Sequence, residues 1–218
     1  MIKQFTFNHF EVNCYLIVDD RVPTAGEKRQ CAIVDPACEA SFEDAQLTQY
    51  IEQEGLQVTH ILLTHAHVDH IAGLRQCCEH YHLPVTMHAE GRKLLKQAEA
   101  YGSLMGFAVD NMGDLDVVEI EDNQILKIGN TEIECRYVPG HCPGSMCFVL
   151  PQENAVLTGD ALFHFSIGRT DLPGGDYPTL IEKLKERILT LPDDYRVLPG
   201  HGIASQIGKE KKYNSILN

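Results

Sequence analysis

Short apolar runs alternate along the chain with polar stretches marked by Gly, Pro, Asn and Asp. Residues 2–8 repeat with a period of two, which predicts a strand with one buried face. Cys14-Tyr15-Leu16-Ile17-Val18 and Ala32-Ile33-Val34-Asp35-Pro36 predict two further strands, and the polar stretch between them predicts a hairpin loop around Pro23 and Gly26. Ser41 is expected to cap a helix carrying Leu47, Tyr50 and Ile51 on its apolar stripe and ending at Gly55. A strand over 58–63 follows, then a helix from near His70 through Leu74 to His80. Pro84-Val85-Thr86-Met87-His88 predicts another strand, 89–101 a helix, and 102–113 a loop containing Gly and Met.

The second half repeats this order. Strands are predicted at 116–120, 124–128, 131–138, 146–150 and 155–158. A long Gly-rich loop over 160–176 precedes a helix near 178–190, with Leu180, Leu184 and Ile188 on one face. Arg196-Val197-Leu198 predicts a last strand, ending at Pro199-Gly200-His201-Gly202. The halves share no evident sequence identity, and no linker rich in Pro, Gly or Ser separates them. A single domain over 1–218 is expected, with two layers of sheet and helices outside.

The 218 residues suffice for a substantial core. Asp and Glu number 31 against 18 Lys and Arg, a net charge of −13 that argues against a nucleic-acid or anionic-membrane surface. It leaves room for a small anionic substrate, because a metal ion can reverse the field inside one pocket. No apolar run approaches the about 18 residues of a membrane span, and the N-terminal segment lacks the apolar core of a signal peptide. The eight cysteines form no paired CxxC motifs. Reduced, buried thiols and a cytoplasmic location are expected.

The chemistry is concentrated in Thr64-His65-Ala66-His67-Val68-Asp69-His70, directly after the apolar Ile61-Leu62-Leu63. Imidazole and carboxylate are ligands for Zn²⁺ and similar ions, and open α/β sheets place their chemistry at the C-terminal ends of strands. His141, Asp160 and His201 stand in the same position, each after a Gly at the end of a predicted strand. Seven candidate ligands thus converge on one edge. Mixed His and carboxylate donors admit Zn, Fe and Mn. His60, in the strand before the cluster, reads as surface or structural, with support of the cluster as the alternative. His9, His80, His82, His88 and His164 read as surface or structural. Asp35 either caps the turn before Pro36 or orients a ligand histidine. Cys142, beside His141, reads as a small side chain packed in the turn, with a soft-ligand role as the alternative. Lys209-Glu210-Lys211-Lys212 reads as a solvated helix face.

The series His65-x-His67-x-Asp69-His70, Gly140-His141, Gly159-Asp160 and Gly200-His201 resembles the metal signature of the metallo-β-lactamase-fold hydrolases, over nearly the whole chain. Within that superfamily the sequence is most similar to glyoxalase II-type hydrolases, which cleave hydroxyacylglutathione thioesters. The expected form lacks their C-terminal helical domain, because the sequence ends soon after His201. The resemblance implies a four-layer αββα sandwich of two mixed β-sheets with helices on the outer faces. It implies two divalent metal ions, Zn foremost: His65, His67 and His141 at the first, Asp69, His70 and His201 at the second, and Asp160 bridging. Asp69 is thereby also a catalytic candidate. A hydroxide bridging the two ions is the expected nucleophile toward a thioester such as S-lactoylglutathione.

The Gly168-Arg169 pair resembles both these enzymes and the persulfide dioxygenases of the same superfamily, and the longer Gly168-Arg169-Thr170-Asp171 form also occurs in the latter. Arg169 is therefore a candidate for substrate binding or for a loop-fixing pair with Asp171. A mononuclear iron dioxygenase using His65, His141 and Asp160 is the competing enzyme. A metal-stabilised binding protein is the competing non-enzyme, although structural zinc sites usually close with four ligands rich in Cys.

Overall fold

The computed structural model describes residues 1–21, 24 and 26–218; Pro23, in the expected hairpin loop, lies outside the described residues. Two six-stranded sheets face each other. The first runs in the order β1 (Ile2–Phe7), β2 (Val12–Val18), β3 (Arg29–Val34), β4 (Leu56–Leu62), β5 (Val85–His88) and β6 (Val117–Ile120). β1 to β3 are antiparallel, and β3 to β6 are parallel. The second sheet uses β7 (Ile125–Ile128), β8 (Thr131–Tyr137), β9 (Met146–Leu150), β10 (Ala155–Gly159), β13 (Arg196–Pro199) and β14 (Ser205–Gln206). β10 and β13 are its parallel pair. The short hairpin β11 (Leu162–Phe163) and β12 (Ser166–Ile167) stands apart.

Successive strand residues point to opposite faces, and here both faces are covered. In β2, Tyr15 and Ile17 face the second sheet, where they meet a layer that includes Ile133, Phe148 and Leu157. Cys14, Leu16 and Val18 pack in the other direction, with Leu47 and Ile51 of α1 (Ser41–Gln53) and Leu74 of α2 (Leu74–Tyr81). Val149, Val156 and Val197 of the second sheet pack on Leu180 of α5 (Tyr177–Lys183) and on Ile207 of α6 (Ile207–Tyr213). The result is the expected αββα sandwich. Burial on both faces explains why the central strands read as unbroken apolar runs.

The differences from expectation have local causes. Ala40, not Ser41, is the cap of α1. The Glu43 carboxylate accepts from the Glu39, Ala40 and Asn8 amides in place of a hydroxyl cap. α2 begins at Leu74, because 67–73 form turns that carry His70 inward, closed by the bonds His70 N–H to His67 C=O and Gly73 N–H to Pro36 C=O. The helical segment over 89–101 divides into a single turn, α3 (Arg92–Lys96) and α4 (Ala98–Met105), which continues until Gly106 at φ +86. α5 runs on through a wider turn over Leu184–Ile188.

The solvated face expected at 209–212 is wrong at its centre. Glu210 is fully buried and accepts from the Phe165 amide, Ser205 Oγ and Asn214 Nδ2. α6 thereby clamps the β11–β12 turn, where Phe165 sits at φ +56. All eight cysteines are buried and unpaired. Among the described residues, no helix is long and apolar enough to cross a membrane.

Candidate metal centre

The seven candidate residues meet at one edge of the sandwich. The segment after β4 brings His65, His67, Asp69 and His70. The turn between β8 and β9 brings His141, while the ends of β10 and β13 bring Asp160 and His201. Two glycines allow the close approach. A Cβ at Gly159, where φ is +47, would lie 2.5 Å from Thr64 Oγ1. A Cβ at Gly200 would collide with Asp160 Oδ1 and lie 2.7 Å from His70 Cε1. The turn bearing His201 is also pinned from β2: the Asn13 amide donates to Gly200 C=O at 2.7 Å, Asn13 Nδ2 to Pro199 and Gly202 C=O, and Tyr15 Oη to Pro199 C=O.

Donor atoms lie within 4.8 Å of one another in three groups: His65, His67 and His141 with Cys142 beside them; Asp69, His70 and His201; and Asp35, His65 and His70, where Asp35 is the hydrogen-bond partner of His70. Asp160 lies between the first two. Its Oδ1 is 3.3 Å from His70 Nε2, and its Oδ2 is 3.5 Å from His201 Nε2 and 3.7 Å from His141 Nε2. Asp69 Oδ2 is 3.2 Å from His201 Nε2 and 3.6 Å from His70 Nε2.

Hydrogen bonds behind the rings fix which nitrogen faces the centre. His70 Nδ1–H donates to Asp35 Oδ2 at 2.9 Å. His141 Nδ1–H donates to Arg169 C=O at 2.7 Å, and His201 Nδ1–H to Phe10 C=O at 2.9 Å. Thr64 Oγ1–H donates to Asp35 Oδ2 at 2.6 Å, so the same hydroxyl accepts from His65 Nδ1–H at 3.0 Å. In each neutral ring the lone pair is therefore on Nε2. His70 and His201 then point lone pairs at each other across 3.3 Å, and His141 Nε2 faces His67 Nδ1 across 2.9 Å. Such pairs repel unless a proton or a metal ion stands between them. His65 Nε2 is buried with no hydrogen-bond partner among the described residues, and Asp160 Oδ1 is buried with His70 Nε2 beside it at 3.3 Å. Buried polar atoms are ordinarily satisfied, so donors left free in this arrangement fit a metal site.

The electrostatics divide the same way. Burial pushes the His65 imidazole well down and His67 down to about 4. Burial also lowers His141, against the pull of Asp160. Burial opposes charge on His70 as well, yet Asp160 and Asp69 raise it well above the ordinary histidine value. His201 is raised, against burial, by its hydrogen bond to Asp69 and by Asp160. Burial resists ionisation of Asp160 and Asp69, but the histidines around them hold both carboxyls low. One set thus presents neutral imidazoles, and the other holds protons that a cation displaces.

The structure joins Asp35 to the centre and makes it do more than cap a turn. Sitting at φ +52, it accepts from the Thr64 amide at 2.7 Å and from His70. Asp35→Asn replaces one acceptor oxygen by a donor and frees the His70 ring. Metal affinity is expected to fall about 10- to 100-fold with the fold retained, measured by competition with a chromogenic chelator. Arg169 forms the loop-fixing pair, its Nε and Nη2 on Asp171 at 2.7 and 2.8 Å, and it holds His141 through its carbonyl. Its side chain still lines the cavity beside the centre.

Cys142 bonds with Ser145 Oγ at 3.2 Å, and burial pushes its thiol up to about 12, so it packs as a neutral side chain. His60 lies outside the cluster, its Nδ1 on Thr59. Four supporting groups escaped the sequence reading: Asn8, whose Nδ2 donates to Asp69 C=O at 2.8 Å, Thr64, and the carbonyls of Phe10 and Arg169. A carbonyl leaves no mark in sequence. The one available signal was Asn8, at φ +54, since Asn tolerates that conformation.

This fold with its histidine and carboxylate cluster defines a metal-dependent α/β protein. The sequence matches the metallo-beta-lactamase superfamily over residues 8–201, and the chain belongs to that family. It is 35% identical to the hydroxyacylglutathione hydrolase GloC of Haemophilus influenzae over 216 residues, covering 96% of this chain and 94% of that one. It is 34% identical over 175 residues to the human mitochondrial persulfide dioxygenase ETHE1, covering 80% of this chain and 60% of that one. Among solved structures, the BLEG-1 B3 metallo-beta-lactamase superposes with a TM-score of 0.87 at 31% identity, with both chains fully covered. TTHA1623 in a di-iron-bound form gives 0.84 at 33% identity, covering 99% of this chain and all of that one.

Proposed function

We propose that this chain is a two-metal thioester hydrolase of the glyoxalase II type, acting as a single domain. His65, His67 and His141 would hold one divalent ion and Asp69, His70 and His201 the other, with Asp160 placed to contribute to both. The observation that carries this reading is the set of Nε2 lone pairs locked toward the centre by acceptors behind four rings. Two divalent ions supply Lewis acidity toward a carbonyl oxygen and lower the pKa of a water from 15.7 to about 7.

The protein's own part is to hold donors and exclude disorder. Asp35, Thr64 and the Phe10 and Arg169 carbonyls keep the tautomers, and Gly159 and Gly200 let three strand ends close. A thiolate leaves without a dedicated acid, because free thiols have a pKa of about 8.5. Seven donors exceed the four of a closed structural site, which favours turnover over simple metal-stabilised binding. Zn²⁺ is the first choice of ion, and the di-iron neighbour supports Fe as the alternative, with Mn also compatible. The similarity to GloC supports a hydroxyacylglutathione-type thioester, a small molecule, as substrate. Free buried thiols support a reducing compartment, the cytoplasm.

The second reading is persulfide dioxygenation at one iron held by His65, His141 and Asp160. The similarity to ETHE1 and the Gly168-Arg169-Thr170-Asp171 segment favour it. One comparison separates the two. The purified chain is expected to release thiol from S-lactoylglutathione and to consume no oxygen with glutathione persulfide. Oxygen uptake without thiol release gives the second reading the place of the first.

A further inference from the structure

A cavity of about 230 Å³ opens onto the centre. Its wall beyond the histidines and carboxylates is formed mainly by Phe10, Val68, Leu94, Met105, Leu172 and Pro173. Phe10 and Met105 are 40% and 39% exposed, so apolar surface faces solvent there. The Phe10 ring does not hang free: Phe107 meets it edge-on at 5.2 Å and is itself stacked on His9 at 4.4 Å.

Among the described residues, Arg169 is the one Arg or Lys lining the cavity, and its Nε and Nη2 are already bonded to Asp171. Glutathione carries two carboxylates and an ammonium, and buried charges need partners. This wall offers its carboxylates no free cation, and a chain of net charge −13 repels them at longer range. Apolar surface beside a polar reaction centre is instead suited to an apolar group held by burial.

Building on the thioesterase reading, we propose that this wall selects thioesters by an apolar group attached to the scissile carbonyl, while the glutathione arm adds little to recognition. The cavity takes the acyl chain, and the thiol arm extends toward solvent. Leu94, Met105 and Leu172 are then specificity-determining side chains that touch substrate but take no part in the chemistry.

The test is hydrolysis of acetyl, butyryl and hexanoyl thioesters by the metal-loaded full chain. Each acyl group is presented on glutathione and on N-acetylcysteamine, an uncharged thiol. kcat/KM is expected to rise about fourfold per methylene until the cavity fills. For a given acyl group the two thiols are expected to differ by less than about threefold. Leu172→Arg, which adds an unpaired cation, is expected to lower hexanoyl turnover about tenfold and to shift preference toward the glutathione thioesters. Calorimetric titration with non-hydrolysable alkyl thioethers reads the wall without turnover: affinity is expected to grow with chain length, with a negative heat-capacity change.

A flat acyl series, or a preference above about tenfold for glutathione with the acyl group unchanged, overturns the proposal and leaves thioester hydrolysis standing. Absence of thiol release from every thioester overturns the hydrolase reading instead. The titration then still decides the wall: affinity that does not grow with alkyl length overturns the proposal on its own.

Discussion

Asp160→Ala is expected, on the proposed thioesterase reading, to abolish measurable thiol release, with a loss of at least the about 100- to 1,000-fold that removing one preorganised catalytic donor costs. The reason is its position. Its two oxygens reach His70 on one side and His141 and His201 on the other, at 3.3 to 3.7 Å. No neighbouring side chain replaces that span, because Asp69 approaches His70 and His201 alone among these histidines. Removing Asp160 also takes away a carboxylate that, with Asp69, raises His70 against burial. Asp160→Asn keeps the volume and loses the charge, so it separates bridging from packing: an inactive, folded Asn variant is expected. Kinetics of thiol release, with circular dichroism as the check on folding, measure both.

Removing the metal is the second large effect. A ligand bound to the folded state at about 1,000 times its dissociation constant contributes about 4 kcal/mol. For a chain of this size each kcal/mol shifts the melting temperature by about 2–4 °C. Exhaustive chelation is therefore expected to lower it by about 8–16 °C per ion, and returning the ion restores it. The effect depends on pH, and its sign follows from the electrostatics. Without metal, His70 and His201 hold their protons to higher pH than ordinary histidines, because Asp160 and Asp69 face them. Metal uptake must expel those protons, so affinity falls as pH drops and binding releases acid. An indicator dye in weakly buffered solution measures the release during titration with Zn²⁺.

Most of the scaffold was legible because burial on both faces writes strands as continuous apolar runs. β9 and its neighbours stood out in this way, and the strand ends marked the positions of His141, Asp160 and His201. The convergence of the seven candidate side chains was legible because imidazoles and carboxylates at strand ends have little other use there. Boundaries set by tertiary contacts were not legible. α2 starts late because the chain first turns inward to place His70, which no local propensity announces. α1 is capped by Glu43 reaching back to amides from 39, 40 and even 8. Glu210 looked solvated among lysines, yet it is buried under the turn at Phe165 that no periodic pattern foretells. Support given by the main chain was silent for the same reason: the carbonyls of Phe10 and Arg169 act by position, and position is a property of the fold. The two possible roles of Arg169 also stayed open in sequence, and the structure supplies the Asp171 pair together with a backbone role that no sequence pattern marks.

Metal stoichiometry read together with turnover bears most directly on the two-metal centre. The full chain, purified without added metal and then loaded, is to be analysed for element and number of ions per chain, beside Asp69→Ala, with S-lactoylglutathione hydrolysis followed on the same samples. Two ions per chain are expected in the unaltered protein. Asp69→Ala is expected to hold one and to lose most of its thiol release. Undiminished hydrolysis by Asp69→Ala carrying a single ion contradicts the two-metal account.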